Sequence, residues 1–514
     1  MSYSLEWLED QYANRILLVE CTVYKVSEDA ELAVYFSNGG FLTSDGVTHF
    51  QPLVMGSVSV SEKLNKDGNV TMSVGDIAIN NSDGRFDEYL GTDYVWVNRP
   101  ITVYYGDPSW TVADLATLQG GSVFNIAFTG IITDIGSSGK DTINFRLRDK
   151  LEKLNTPISD GKIGTYGTWA GGQQNQDAFS PLVFGEVHNM TPLLIDPSTL
   201  EYRFNTGSSE RLIEVRDNGI PITELTENLS QGTFKLHSPA YGTLTCSVQG
   251  VKQSVNLSTG AIESTYSNNI ANLVALITRA FGSNSLNRLA ANELNLTNLS
   301  AFAANTEYVG IPVTDRQNVL AVCQQLVASI GGQLYMSRAG TLGILRFGTT
   351  VAGAGVSTIT EKDIVANSIS IAERIPVIAA TKLGYCKNYT VQQGLQTSIP
   401  DAHKEMFATE WYTTTVEDSG VKTRYRIEGD PAQKDTLLLK STHAQTEATR
   451  INALYSAPRT IYKFTGIPRL MALVLGQGVT LTHSRFGLSG GVSGQVVGLN
   501  INWAQHTVEV EVLV

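Results

Sequence analysis

The sequence predicts a mainly β protein with a smaller α+β part, built from several β-barrel or β-sandwich domains and a helix–hairpin (αββ) element. Three observations predict this class. Short segments rich in β-branched and aromatic residues, bounded by Gly, Asn or Asp, recur in the first and last thirds of the chain. The 47 glycines and 20 tyrosines favour strands joined by tight turns. Two apolar stripes at helical spacing lie between the strand-rich regions.

A chain of 514 residues is too long for a single hydrophobic core, so several domains are expected. Shifts in composition and apolar periodicity divide the chain into five parts. They are an N-terminal β-barrel-like domain (1–155), a Gly/Gln-rich loop or arm with a connecting strand (156–199), a β-hairpin unit (200–262), an α+β domain of two helices and a hairpin (263–350), and a C-terminal β domain (351–514).

The N-terminal domain is predicted from five strand-forming segments, which read ILLVECTVYKV, NVTMSVGDIAI, RPITVYYGD, VFNIAFTGIITDI and DTINFRLRD. The following segment, 160–180, is rich in Gly and Gln and lacks periodicity, so a long loop is expected. We expect this loop to reach a neighbouring subunit and to order on assembly. Its residues Trp169, Gln173 and Gln174 are the candidate contacts.

The third part is predicted to be a half-buried hairpin. Two runs with alternating apolar residues flank a Pro-Ala-Tyr-Gly turn, which is the pattern of paired strands. The alternating residues are Phe234, Leu236, Leu244, Cys246 and Val248.

The α+β part contains two predicted helices followed by a hairpin. The first helix has apolar residues at helical spacing from Ile270 to Phe281 and stops at Gly282. For the second, Thr314 and Gln317 fit a capping box ahead of an apolar stripe that ends at glycines 331 and 332. The segment QLYMSRAGTLGILRF then alternates on both sides of an Arg-Ala-Gly turn, which predicts a hairpin.

The last third returns to strands with alternating apolar residues and a short Ala-Gln-His turn before the final one. The alternating residues are Val479, Leu481, Val497, Leu499, Ile501, Trp503, Val508, Val510, Val512 and Val514.

Composition argues against several functional classes. A formal net charge of −12 without any run of basic residues argues against a nucleic-acid-binding surface. The four scattered cysteines (Cys21, Cys246, Cys323, Cys386) form neither a disulfide framework nor a zinc motif, which suits synthesis in a reducing cytoplasm. The start shows no signal peptide, and no apolar run reaches the length of a membrane span. No cofactor or metal is expected.

Glu186 and His188, in the stretch SPLVFGEVHNMTPLLI, are the leading candidate site residues. Two residues apart on a strand, they would share one face, and such a pair can move protons or hold a metal. Asp196 is the only acidic residue close enough in sequence to be a third partner. A site needs convergent partners, so a surface or interface position in a strand is favoured.

Two further motifs are interpreted as loops. Ser489 in GLSGG matches the nucleophile-elbow spacing, but strands follow it instead of a helix, and too little chain remains for the partners of that site. The stretch NNSDGRFDE (80–88) resembles a calcium loop only loosely and is favoured as a tight turn. The seven histidines are scattered without metal-ligand spacing. These patterns favour a protein that is not an enzyme.

The order of several segments resembles baseplate hub or tail-tip proteins of long-tailed, siphovirus-like bacteriophages. These segments are DIAINNSDGRFDEYL, NRPITVYYGDPSW, FTGIITDI, FRLRDKLEKLNTPI, PLVFGEVHNMTPLLID with RLIEVRDNGIPI, VLAVCQQLVASIGGQLYMSRAGTLGILRFG, and the ending from VLGQGVTLTHSRF onward. The resemblance spans nearly the whole chain. One departure is Gln477, which stands where the family usually has an acidic residue.

This resemblance implies a virion protein made in the bacterial cytoplasm, a hub that closes the tail tube. It implies a homotrimeric ring whose barrels mimic tube subunits, with the distal tail protein ring, a central fibre or spike and the tape measure protein as partners. DNA would pass through the lumen, and a net-acidic chain would avoid gripping it. Glu186 and His188 would then sit in a strand or interface of a scaffold.

The sequence is also compatible with other functions. Within the same tail tip, the chain could instead be the distal ring or a fibre-attachment protein. A polysaccharide-degrading tailspike would need two carboxylates across a groove, and it would usually show a repetitive solenoid pattern, which the sequence lacks. A carbohydrate-binding adhesin without catalysis is the third class.

Overall fold

The computed structural model describes residues 5–10, 12–56, 58–120, 123–159, 161–165, 175–304, 307–353, 355–395, 397–427 and 430–514. Strands account for 40% and helices for 20% of the structure, spread over several sheets, so the predicted mainly β class is confirmed. None of the helices in this described part is long and apolar enough to cross a membrane.

The strands of the first half are β1 (Ile16–Lys25), β2 (Ala30–Ser37), β3 (Phe41–Leu42), β4 (His49–Pro52), β5 (Val54–Met55), β6 (Ser59–Lys63), β7 (Thr71–Val74), β8 (Ile77–Asn80), β9 (Tyr94–Val95), β10 (Pro100–Gly106), β11 (Asn125–Gly139), β12 (Thr142–Arg148), β13 (Leu182–Met190), β14 (Leu193–Asp196), β15 (Glu201–Arg203), β16 (Ser209–Asp217), β17 (Ile220–Pro221), β18 (Leu225–Asn228), β19 (Thr233–Leu236), β20 (Leu244–Val251), β21 (Ser254–Val255) and β22 (Ile262–Glu263).

The remaining strands are β23 (Gly310–Val313), β24 (Gly332–Met336), β25 (Leu342–Arg346), β26 (Thr358–Ile359), β27 (Ser370–Ile375), β28 (Ala380–Tyr385), β29 (Tyr412–Glu417), β30 (Gln433–Asp435), β31 (Arg459–Gly466), β32 (Gly478–Leu481), β33 (Val492–Asn502) and β34 (Thr507–Leu513). The helices are α1 (Leu5–Glu9), α2 (Leu115–Gln119), α3 (Ile270–Ala280), α4 (Leu296–Ala303), α5 (Val319–Ala328), α6 (Asp401–Ala408), α7 (Ser419–Tyr425) and α8 (Ser441–Tyr455).

The chain forms two compact units, each drawn from separate stretches of sequence. Unit 1 contains residues 1–153, 335–375 and 459–514, and unit 2 contains 154–334 and 376–458. The five-part division made from the sequence stays a prediction.

Unit 1 is built on two large sheets. One has the strand order β3-β4-β2-β1-β10-β11-β12-β8-β5, with β9 paired to β1. The other has the order β26-β32-β33-β34-β31-β27 and is extended by β6 and β7, because β6 pairs with β33. The two sheets share one apolar core, in which Phe128, Phe145 and Trp503 are fully or almost fully buried.

The segment NVTMSVGDIAI, predicted as one strand, is two strands in different sheets. β7 pairs with β6, whereas β8 pairs with β12 and β5. The break falls at Gly75, where a Cβ atom would lie only 2.7 Å from the Ser59 hydroxyl oxygen. The closing strands β32, β33 and β34 lie where the alternating apolar residues predicted them, and they form consecutive antiparallel pairs.

Unit 2 contains a five-stranded sheet of order β17-β16-β20-β13-β23 and a four-stranded sheet of order β14-β15-β19-β18. A three-stranded sheet, β29-β28-β30, packs against α8. The helix α3 packs against α5 and α4 and begins at its N-cap Asn269, whose side chain accepts from the backbone N–H groups of Ala271 and Asn272. The first predicted helix is therefore confirmed.

The predicted hairpin of the third part is wrong. β19 and β20 do not pair, because β19 joins β15 and β18 whereas β20 joins β13 and β16. The five apolar residues that suggested the pairing all enter one core between the two sheets. Alternation thus identified the buried face of each strand correctly, but it carries no information about which strand lies alongside.

The predicted capping box of the second helix is also wrong, although the helix exists. α5 begins at Val319 after Asn318, and β23 ends at Val313, so the residues between them form a connection. In that connection the Gln317 side-chain amide donates to the Asp315 carboxylate at 2.7 Å. The predicted hairpin after this helix is present as β24 and β25, which pair with each other.

Candidate functional site

Glu186 and His188 lie on β13, a strand whose intervening residue Val187 is fully buried in the unit 2 core. Residues two apart on a strand share a face, so both polar side chains point away from that core. β13 is a central strand, flanked by β20 and β23, and Glu186 lies opposite Gln249. The side chains of Glu186 and His188 keep 22% and 34% of their surface exposed.

The Glu186 carboxylate is held by two neighbours. His188 Nε2 lies 3.1 Å from Glu186 Oε1, and Gln249 Nε2 donates to Glu186 Oε2 at 2.7 Å. The hydrogen bond from His188, helped by Gln249 and the more distant charge of Lys440, lowers the pKa of Glu186 against the opposing effect of burial. Glu186 is therefore a carboxylate at neutral pH with both oxygens engaged.

Two glycines make this part of the sheet possible. A Cβ at Gly310 would lie 1.7 Å from the Glu186 carbonyl oxygen, and a Cβ at Gly185 would lie 2.1 Å from the Val309 carbonyl oxygen. Gly185 also has a φ of +72°, which disfavours any other residue. The close approach of β23 to β13 thus depends on glycine in both strands.

Other titratable groups surround the pair. Burial and the charge of Glu186 raise the pKa of the Cys386 thiol, so it stays protonated and is a poor nucleophile. The Lys440 ammonium lies 4.6 Å from the centroid of the Tyr308 ring. His443 Nδ1 accepts from the Tyr308 backbone N–H at 3.2 Å, and burial together with Lys440 lowers the pKa of His443.

The arrangement does not form a recognisable reaction centre within the part of the chain that the structure describes. That part has no group of three or more His, Cys, Asp or Glu side chains able to hold a metal ion. Asp196 stabilises the turn in which it lies. Its carboxylate accepts hydrogen bonds from Ser198 and Thr199, and these bonds lower its pKa to about 2. Glu186 and His188 therefore form a partly exposed polar pair in which both carboxylate oxygens have partners.

The remaining motifs from the sequence lie in turns. Ser489 is in the connection between β32 and β33, as predicted. In the stretch after β8, the side chain of Asn81 accepts from the Phe86 N–H and donates to Asp87, which closes a tight turn. Trp169, Gln173 and Gln174 lie outside the described residues.

A buried charge cluster in unit 1 carries no signal in the sequence. Arg338, in the turn between β24 and β25, has its Nε 3.3 Å from Glu62 Oε2, and both side chains are 2% exposed. Arg338 Nη2 also donates to the Leu473 carbonyl at 2.5 Å, and its Cζ lies 5.7 Å from the Trp503 ring centroid. Its own carbonyl accepts from the Thr129 N–H at 2.7 Å.

This cluster joins the three separate stretches of unit 1 through one residue. Glu62 and Thr129 come from the first stretch, Arg338 from the second, and Leu473 and Trp503 from the third. Asp149 lies near enough to raise the pKa of Glu62, although burial of Glu62 is the larger cause and Arg338 opposes it. A lone Arg in a turn gives no periodic signal, so sequence reasoning could not indicate this role.

Comparison with known proteins gives matches among solved structures. No protein-family model matches the chain, and no curated protein matches it. Among solved structures, the chain is similar to the 43 kDa tail protein of prophage MuSo2 from Shewanella oneidensis, with 11% identity, a TM-score of 0.41, and 98% of each chain covered.

Two further structures are similar to this chain. One is a tail protein from Neisseria meningitidis MC58, with 9% identity, a TM-score of 0.35, and coverage of 96% of this chain and 95% of that one. The other is the prophage tail protein gp18 from Listeria monocytogenes EGD-e, with 9% identity, a TM-score of 0.37, and coverage of 96% and 94%.

Proposed function

We propose that this chain is a structural protein of a bacteriophage tail tip, a baseplate hub that closes the tail tube as a ring of copies, most simply a homotrimer. Its partners would be the distal tail protein ring, a central fibre or spike, and the tape measure protein. It would be made in the bacterial cytoplasm and end in the virion, where it would act as a scaffold and not as an enzyme.

One observation supports this proposal most. The N-terminal and C-terminal stretches of the chain build one interleaved β unit, because β6 from the first pairs with β33 from the last along Ser59–Lys63 and Gly498–Asn502. Such a unit is held by long-range backbone pairing, which suits a load-bearing ring. The arginine that joins all three stretches, Arg338, is buried and paired inside the same unit.

The state of the candidate site is in keeping with a scaffold. Glu186 accepts from His188 and Gln249, and Cys386 is held as a thiol, so the cluster uses its polar groups for its own architecture. The partly exposed face of β13 is then a candidate contact surface, together with Trp169, Gln173 and Gln174 of the Gly/Gln-rich segment.

The test is the position and copy number of this chain in intact particles. Quantitative mass spectrometry of purified virions and immunogold labelling should place three copies per tail at the tip. Six copies would instead assign the distal ring, and absence from the particle would overturn the proposal. A turnover assay on host polysaccharide with the purified chain addresses the tailspike alternative, and sustained release of sugar would also overturn the scaffold role.

A further inference from the structure

Unit 1 contains two three-stranded meanders of the same construction, β10–β11–β12 and β32–β33–β34. In each, the central strand is the longest, the following strand pairs along much of it, and the preceding strand pairs only with its first half. The pairing of each central strand with the following one is interrupted by a register shift near its middle, at Ile132–Asp134 in β11 and at Val496–Gly498 in β33. β11 has a second shift near its end, at Ser137–Gly139.

The second half of β33 is not left open. Residues Gly498–Asn502 pair antiparallel with β6, on the side of β33 that β32 occupies at its first half. β6 comes from a hairpin inserted between β5 and β8, two strands that pair with each other in the other sheet. The chain itself therefore shows that this kind of half-open central strand accepts a strand from elsewhere.

The second half of β11 has no such partner among the described residues. Thr133–Gly139, called here the open half of β11, pairs with β12 on one side, and no described strand pairs with it on the other. It contains Asp134, which forms an exposed ion pair at 3.1 Å with Arg146, the residue opposite on β12; the two side chains are 53% and 63% exposed. Ile135 in the same segment is partly buried against the core.

β27 presents the matching unpaired edge. In the described part of the chain it pairs with β31 alone, and its residues from Ser370 to Arg374 are all exposed. Ile371 keeps 42% of its surface in solvent. A strand of six residues that is exposed on both faces offers a row of free backbone donors and acceptors, which is the usual site of strand addition.

We propose that β27 of one copy of this chain adds, antiparallel, to the open half of β11 in the next copy. The two edges are different surfaces of one molecule, so the contact is head-to-tail and repeats around a closed ring. This inference rests on the proposed function, because it names the contact through which the copies of the ring join.

The side chains fit this pairing. β27 carries Glu373 and Arg374, which form no ion pair with another described residue. The open half of β11 contains Asp134, and Arg146 lies opposite it on β12. Opposite charges are thus available in both directions across the contact. Ile371 would gain cover against the segment that contains Ile135, which removes apolar surface from water.

Paired cysteines test the contact on the purified full chain. Ser138→Cys lies in the open half of β11 and Ala372→Cys in β27, and both positions are exposed. Treated with a short bismaleimide, the double variant should form covalent dimers and larger rings. The yield should exceed that of either single variant roughly tenfold or more, because a formed contact holds the two thiols at an effective concentration on the order of millimolar. The matched control is Ser73→Cys with Ala372→Cys, since Ser73 is exposed on β7, another strand with an open edge.

Each outcome decides the proposal. Covalent oligomers confined to S138C/A372C support it. The proposal is overturned if these oligomers are absent or if S73C/A372C gives an equal yield. Dimers from A372C alone would also overturn it, because they would indicate that β27 pairs with β27 of another copy. If the oligomers form but the chain is missing from virions, the proposed function fails alone. If the chain sits in the tail and no oligomers form, only the strand contact fails.

Discussion

The guanidinium of Arg338 and the carboxylate of Glu62 lie 3.3 Å apart, with 2% of each side chain exposed, at the point where the three stretches of unit 1 meet. In a pair so deeply buried, removing the arginine alone leaves the Glu62 carboxyl desolvated and without its cationic partner.

Arg338→Met is therefore expected to lower the free energy of unfolding of unit 1 by about 3–5 kcal/mol. The double variant Arg338→Met/Glu62→Leu should recover much of this loss, since neither member of the pair is then left as an unpaired buried charge. Denaturant unfolding monitored by tryptophan fluorescence measures both. Arg85→Met is the control, because Arg85 and Asp83 form an ion pair with side chains 54% and 49% exposed, where solvent screens the attraction and its loss should have little effect on stability. Equal losses at Arg338 and Arg85 would contradict the role of the buried pair.

The contribution of Asp149 to the stability of unit 1 should fall as the pH rises through about 6. Burial raises the pKa of Asp149 from 3.8 to about 6, so the folded chain binds this proton more tightly than the unfolded chain. The resulting stabilisation is complete below the unfolded pKa, near 3.8, and is lost as the pH passes the folded pKa.

The size of this stabilisation is at most about 3 kcal/mol, because each tenfold gain in proton affinity on folding is worth about 1.4 kcal/mol. Unfolding free energies at a pH of about 4.5 and at a pH of about 7.5 should differ less in Asp149→Asn than in the unchanged chain. Burial also raises the pKa of Glu62, with the same sign, so Glu62→Gln should reduce the remaining dependence. If neither substitution altered the pH dependence of the unfolding free energy, groups other than Asp149 and Glu62 would control that dependence.

His188 should control the ionisation of Glu186. His188→Ala is expected to raise the pKa of Glu186, because the hydrogen bond from His188 is the main cause of its lowering. A carboxyl group whose pKa is lowered on folding stabilises the fold when the pH is above its ordinary pKa of 4.5. This contribution is lost as the pH falls through the folded-state pKa.

Carbon-13 NMR titration of glutamate-labelled protein measures that change in pKa. Both side chains are partly exposed, so the stability cost should be less than about 1 kcal/mol. Gln249→Ala removes the other hydrogen bond and should raise the pKa of Glu186 less than His188→Ala does. The reverse order would contradict the assignment.

Gly310→Ala should prevent unit 2 from forming its five-stranded sheet. A Cβ there would lie 1.7 Å from the Glu186 carbonyl oxygen, and neither backbone can retreat without losing the pairing of β13 with β23. We expect a loss of more than about 4 kcal/mol, seen as insoluble protein or a much lower melting temperature. Gly490→Ala is the control, since a Cβ at Gly490 would meet nothing within 4 Å. A normal melting temperature for Gly310→Ala would refute the steric argument.

Local pattern predicted the strands of both ends of the chain well, because residues such as Leu499, Ile501 and Trp503 alternate across a sheet with one buried face. Local pattern did not predict which strands pair with each other. Phe234 and Cys246 enter the same core from different sheets, and β7 and β8 separate at Gly75 although their sequence runs on without an obvious break.

The candidate site was predicted in part for the same reason. The two-residue spacing of Glu186 and His188 places them on one face, but the partners that hold the carboxylate and surround it, Gln249 and Lys440, come from distant parts of the chain. The role of Arg338 depends on contacts with Glu62, Leu473 and Trp503, and no local pattern records such contacts.

The order of the two units along the chain has a consequence for biosynthesis. As the ribosome delivers the chain from its N-terminus, unit 2 is complete at residue 458 while β6 still awaits β33. Unit 1 can close only after translation has reached the final strands. A prematurely terminated product that lacks these strands would be left with an unfinished core, and this would keep defective copies out of any larger assembly.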